Sequence, residues 1–219
     1  MTPDYQNAAT KAMETLIKYG INSAPVDPLP ILKKMPDVLV MSYSEMSDCI
    51  GMERRKLISV FGLPNMDAST TVRDENGKKT YIVAYNMRLP FHMLQRALAR
   101  ELGHIVLGHD GSRPDEVRTA EARCFAQHLL CPRPLIKAVQ DSGIPFTVDL
   151  LGNATGCNEH CLSCMRGLPG VPVPADLNRK VRTLFSDYID EFIRFQLILS
   201  TSDTSRLAIF GNFMNFYAE

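Results

Sequence analysis

This chain has no long apolar run and no prevailing charge. None of its 219 residues fall in a hydrophobic stretch approaching the ~20 residues of a membrane span, so no spanning segment is expected. Lys+Arg and Asp+Glu number 24 each. That balance offers neither a basic field to draw nucleic acid nor an acidic tail to repel it, and direct nucleic-acid binding is not expected. The opening Met1-Thr2-Pro3-Asp4-Tyr5-Gln6 is polar and acidic, without the basic and apolar regions of an export signal. Six cysteines in such a chain are expected to be reduced thiols in a cytoplasm. There is no internal repeat and no low-complexity tract. What is present is 45% apolar content, enough for a sizeable core in one domain, or in one domain with an appendage.

In chain order, residues 4–19 read as an amphipathic helix carrying Ala8, Ala12, Leu16 and Tyr19, ended by Gly20. Pro25, Pro28 and Pro30 break regular structure, with at most a helical turn at Ile31-Leu32-Lys33-Lys34. Val38 to Met41 reads as a short strand, and Ser44 to about Ser59 as a helix weakened at Gly51. Asp67–Arg73 and Lys79–Tyr85 flank Asp74-Glu75-Asn76-Gly77, the strongest hairpin signal in the chain. Helical spacing returns over residues 91–108 and 114–130, the second with Val117, Cys124, Phe125 and Leu129 on its apolar side. A short helix follows through Leu135 and Val139. Residues 146–170 have a poor pattern, and Pro169, Pro172 and Pro174 read as a linker. A long helix over 175–199 carries the stripe Leu177, Val181, Leu184, Tyr188, Phe192, Phe195 and Leu199, which needs the main body or another subunit against it. Leu207 to Phe210 reads as a strand.

The chemistry concentrates in Leu98-Ala99-Arg100-Glu101-Leu102-Gly103-His104-Ile105-Val106-Leu107-Gly108-His109. On a helix, Leu98, Leu102, Ile105 and Val106 share a core face, and the neighbouring row sets Glu101 and His104 among the small residues Ala97 and Gly108. Glu and His at this spacing belong to H-E-x-x-H zinc hydrolysis, in which two histidines hold the metal and the Glu acts as general base on water. Here Arg100, a permanent cation with no lone pair, stands where the first histidine is needed.

Taken with Tyr81-Ile82-Val83-Ala84-Tyr85-Asn86 before it, and Glu121-Ala122-Arg123-Cys124-Phe125-Ala126 and Leu129-Leu130-Cys131-Pro132 after it, this segment resembles the ImmA/IrrE family of metallopeptidases. Val26-Asp27-Pro28 after a first helix also fits. The resemblance covers roughly residues 4–140. It implies an α+β fold of zincin-like metallopeptidase type, with a small sheet packed on the motif helix and a mostly helical C-terminal extension over 141–219. Residue by residue, it implies Glu101 as general base, His104 as a zinc ligand, and Glu121 as the third, acidic ligand. Members of the family cleave repressor or regulator proteins in mobile elements such as phages and in stress responses, often beside a helix-turn-helix partner.

Two functions follow. One is a zinc-dependent hydrolase with an irregular metal site, Glu101 activating water against a peptide carbonyl. The other is a pseudo-peptidase that holds a protein or peptide partner without cutting it, and Arg100 favours this one. Its guanidinium is expected within about 4 Å of Glu121 or Glu101, carrying positive charge into the place of a metal. No other histidine readily fills the vacancy. His109 lies about 7.5 Å along the axis from His104 and ~140° round if the helix stays regular, and it reads as a helix-end residue. His128, about 10.5 Å beyond Glu121 on its helix, reads as a surface residue. Cys157, Cys161 and Cys164 have the C-x3-C-x2-C spacing of radical enzymes that hold iron–sulfur clusters, but only 55 residues follow Cys164, too few for their barrel. Zinc held by these thiolates with His160 is the alternative to plain reduced cysteines packing as small hydrophobes.

Overall fold

The computed structural model describes residues 1–53, 55–56, 67–110, 112–157 and 171–200. Its first helix, α1 (Tyr5–Tyr19), starts where the Asp4 carboxylate accepts the Asn7 amide and buries Ala8, Ala9, Ala12, Met13 and Leu16. The prolines are less disruptive than their number suggests. Pro28 and Pro30 sit within the seven-residue α2 (Pro28–Lys34), and Asp27 caps its first turn through the Leu29 amide. After β1 (Val38–Ser42) comes α3 (Tyr43–Ile50), shorter than its sequence pattern, ending at Gly51. Residue 54 and residues 57–66, where that pattern continues, lie outside the described residues.

The hairpin forms as the sequence reads, with a tighter loop. β2 (Ala68–Glu75) and β3 (Lys78–Tyr85) pair antiparallel from Ala68↔Tyr85 to Glu75↔Lys78. Only Asn76 and Gly77 remain between them, both at positive φ, 56° and 82°, as a two-residue turn matching strand twist requires. β1 joins the other edge of β3 in parallel, giving the order β1-β3-β2. The result is an α+β architecture with one small mixed sheet.

The motif helix α4 (Phe91–Val106) and α5 (Asp115–Leu130) form the centre. Leu98, Ala99, Leu102 and Ile105 of α4, and Cys124, Phe125, Ala126 and Leu129 of α5, enter one core with α1. Their close approach depends on Gly103. A Cβ there would stand 3.0 Å from Phe125 Cδ1 and 3.2 Å from the Ala122 carbonyl oxygen, inside ordinary contact. α4 also contacts both strands of the hairpin, so β2 stands beside Glu101.

The C-terminal region departs from its sequence pattern twice. Residues 148–155, read as patternless, form α7 (Val148–Thr155) after α6 (Arg133–Asp141). Its cap is Thr147, whose hydroxyl accepts the Leu150 amide, and only Leu150, Ala154 and Thr155 are buried, too few for a visible period. The long helix over 175–199 is two, α8 (Ala175–Leu184) and α9 (Ser186–Ser200), separated by Phe185. Ser186 donates its hydroxyl to the Thr183 carbonyl at the break, and the Phe185 ring is fully buried beside Val181 and Ile189. The face that packs is therefore Val181-Phe185-Ile189, against α1, α6 and the Tyr188 side of α7, where Tyr188 Oη donates to the Ala154 carbonyl at 2.8 Å. Leu197 and Leu199 stay exposed. The strand expected at Leu207 to Phe210 lies outside the described residues. No helix among the described residues is long and apolar enough to cross a membrane.

Candidate functional site

The site is built at the C-terminus of α4. After Val106 the chain leaves the helix through Leu107 and Gly108, whose φ of +66° is the left-handed conformation that L side chains avoid. The Gly108 amide donates to the Ile105 carbonyl at 3.1 Å and the His109 amide to the His104 carbonyl at 3.0 Å. This pair of bonds is a Schellman motif, which folds the second residue past the cap back beside the third residue before it. Here those two residues are His109 and His104. Their rings meet edge to face, centroids 5.0 Å apart, with Nδ1 to Nδ1 at 2.9 Å. His109 stands at the helix end as expected but is buried, 8% exposed, and the surface reading of His128 is corrected by its burial, 7% exposed.

Glu121 faces the other nitrogen of His109. Its Oε2 lies 2.9 Å from His109 Nε2, and the Asp4 amide donates to Oε1 at 2.8 Å. Arg113, from the loop between α4 and α5, donates Nη1 to both oxygens at 2.7 and 2.8 Å. The carboxylate is 2% exposed. Burial alone would raise its pKa, but the Asp4 amide, His109 and Arg113 outweigh burial and hold the group below the usual carboxylate range. An ionised carboxylate only accepts, so His109 carries a proton on Nε2. Of the two facing Nδ1 atoms of His104 and His109, one donates and the other accepts. His104 is held neutral, its pKa pushed down to about 4 by burial first and then by His109 and Arg100. The chain Arg113, Glu121, His109, His104 is thus a continuous run of satisfied hydrogen bonds.

Glu101, one turn before His104, stands apart from that run. Its Oε2 accepts the Thr70 hydroxyl of β2 at 2.9 Å, and its Oε1 is 3.5 Å from Arg100 Nη2. Burial raises the Glu101 carboxyl above its ordinary range, against the opposing pull of Thr70 and Arg100. Arg100 therefore meets Glu101, and the cation on Glu121 is Arg113's.

The residues do not fit the zinc set that the family resemblance implies. His104 and Glu121 lie on opposite ring nitrogens of an intervening His109, and the Glu121 oxygens are engaged by Arg113 and the Asp4 amide. Among the described residues no three His, Cys, Asp or Glu side chains are arranged to hold a metal ion. As arranged, the site can present one histidine nitrogen, a buried carboxyl with raised proton affinity, and a guanidinium beside it. Sequence reasoning missed His109, Arg113, Thr70 and Asp4. The signal for His109 was present in Leu107-Gly108-His109, a glycine placed to end the helix in this motif; Arg113 and Thr70 had none. Of the second cysteine cluster, Cys157 is described, its Sγ 3.1 Å from Cys131 Sγ without a disulfide, while His160, Cys161 and Cys164 lie outside the described residues. Comparison with family models, curated proteins and solved structures finds no match for this chain.

Proposed function

We propose that this chain is a degenerate peptidase of the ImmA/IrrE type, with a zincin-like fold, whose cleft holds a regulator protein or peptide without cutting it. The observation that carries the reading is the set of partners around Glu121. Where the motif calls for an acidic metal ligand, one guanidinium nitrogen of Arg113, Nη1, occupies both carboxylate oxygens. Arg100, in place of the first histidine, adds a second cation and neutralises Glu101 in part. Two fixed positive charges then do what a dication does for the buried acids, and the fold keeps its shape without the chemistry. A helix-turn-helix repressor is the class of partner that the family resemblance offers.

A second reading, an active zinc-dependent endopeptidase with an irregular metal site, is favoured by the 2.9 Å approach of His104 Nδ1 to His109 Nδ1. His109 supplies a second imidazole beside the first without position 100. In that reading Glu101 takes the proton from the attacking water. Its raised proton affinity suits a general base.

The two are separated by Arg100→His. On the first reading, wild-type protein with added zinc leaves an unfolded protein substrate intact, and Arg100→His raises the zinc affinity measured by competition with a chromogenic chelator, more so when combined with Arg113→Met. Zinc-dependent cleavage by the wild type, abolished by Glu101→Gln, overturns the first reading and supports the second.

A further inference from the structure

The far end of α5 carries a different arrangement. Between the last turn of α5, α6 and α8 lies a cavity of about 700 Å³, a size that holds one small organic ligand. Its charge is one-sided. Arg133 and Lys137 stand four apart on α6, and Arg179 and Arg182 three apart on α8, so each helix turns a pair of cations into the gap. Among the described residues no Asp or Glu lines it. The chain as a whole is balanced at 24 of each sign, so this separation is local and does not follow from a basic composition. Lys137 also reaches Asp141 at 3.2 Å, and Arg133 gives one N–H to the Val171 carbonyl at 2.8 Å. Among the described residues Arg179 and Arg182 have no carboxylate partner.

His128, Gln127 and Asn178 also belong to the residues around this space. His128, 7% exposed, has no hydrogen-bond partner among the described residues, and burial with Arg133 nearby drives its pKa down to about 4. A neutral imidazole offers one donor and one acceptor. Gln127 Nε2 is buried without an acceptor, and Asn178 Oδ1 without a donor, while Asn178 Nδ2 is already given to the Val173 carbonyl. Orphaned buried amides are disfavoured and rare in a native core. Cys131, Pro134 and Ile136 provide an apolar side to the cavity.

We propose that this cavity is a binding site for a small organic phosphate of mononucleotide size. Three arginines without a carboxylate partner among the described residues, with Lys137 beside them, match a di-anionic or tri-anionic group, and Arg in pairs matches phosphate oxygens by geometry as well as charge. The apolar wall of Cys131, Pro134 and Ile136 beside the cations suits a phosphate that carries an organic moiety. A volume of about 700 Å³ matches a compact ligand.

The test is calorimetric titration of the full chain with inorganic pyrophosphate, AMP and ADP at about 50 mM salt, where surface charge is little screened. Saturable one-site binding is expected, tightest for a nucleotide, and weakened at least about tenfold in Arg179→Ala/Arg182→Ala. Both substituted positions are exposed on α8, and Lys78→Ala on the distant hairpin is the control that leaves binding unchanged. Absence of saturable binding by all three probes at about 1 mM overturns the proposal, as does binding indifferent to the double substitution. Binding of a single-stranded oligonucleotide or of polyglutamate, lost in the double variant while the small phosphates do not bind, also overturns it in favour of an extended polyanion.

Discussion

The two ends of α5 handle buried polar groups in opposite ways. Near its start, Glu121 has every oxygen engaged, by Arg113, His109 and the Asp4 amide, and the network runs on to His104. Near its end, His128 and Gln127 stand with Arg133, Arg179, Arg182 and Lys137, and among the described residues only Lys137 of these cations has a carboxylate partner, Asp141. A closed network of charges and hydrogen bonds rigidifies its surroundings and has little left to offer a ligand, whereas an open one is stable only at a cost that a ligand can remove. The same helix therefore carries one polar cluster that serves the fold and one that is poised to bind.

Removing Glu121 breaks the closed end most severely. Glu121→Ala leaves Arg113, the Asp4 amide and His109 without their acceptor, and a loss of about 3 to 5 kcal/mol is expected by urea unfolding, as for a broken buried ion pair. The open end is exposed by pH. His128 has a folded pKa of about 4 against an ordinary value of 6.5, so between these values the unfolded chain binds the proton and the folded chain does not. Stability from this group is complete above pH 6.5 and falls as pH drops toward 4, by at most about 3 kcal/mol. In His128→Phe the acid limb of the stability profile should flatten by that share, leaving the contribution of His104. A smaller change sharpens the closed end. Gly108→Ala strains the residue at φ +66° by about 1 kcal/mol and loosens the turn that brings His109 to His104, seen as exchange broadening of the two imidazole resonances. The smallest expected effect is at the open end. Arg182→Ala should change stability by no more than about 0.5 kcal/mol, and in the stabilising direction, because it relieves like-charge repulsion.

How much of this was legible in the sequence depends on distance along the chain. Periodicity was enough for α1, α4, α5 and α6, because each buries a stripe of its own, such as Val117, Cys124, Phe125 and Leu129. The Asn76-Gly77 dipeptide located the hairpin by turn chemistry alone. His109 was misplaced because a regular helix was assumed one residue past the point where Gly108 ends it. His128 was misplaced for a different reason. α8, about fifty residues further on, packs on α6, and residues of both helices share a cavity with His128, an arrangement that no local pattern encodes. Phe185 illustrates the same limit: the stripe through Leu184 and Tyr188 looked continuous, but the core claimed Phe185 and the helix broke there. In the candidate site, Arg100, Glu101, His104 and Glu121 stood out in the sequence. Arg113, which decides the charge state around Glu121, did not, because a single loop arginine carries no pattern.

The central claim is that the cluster at Glu121 is complete without a metal ion, its charge balanced by Arg113 and its geometry set by His109. Metal analysis of the full chain, purified without added zinc or chelator, tests it most directly. Substoichiometric zinc is expected, with an unfolding midpoint that added chelator leaves unchanged. One equivalent of zinc per chain, lost in both His104→Ala and His109→Ala and carrying the folded state with it, would contradict the account.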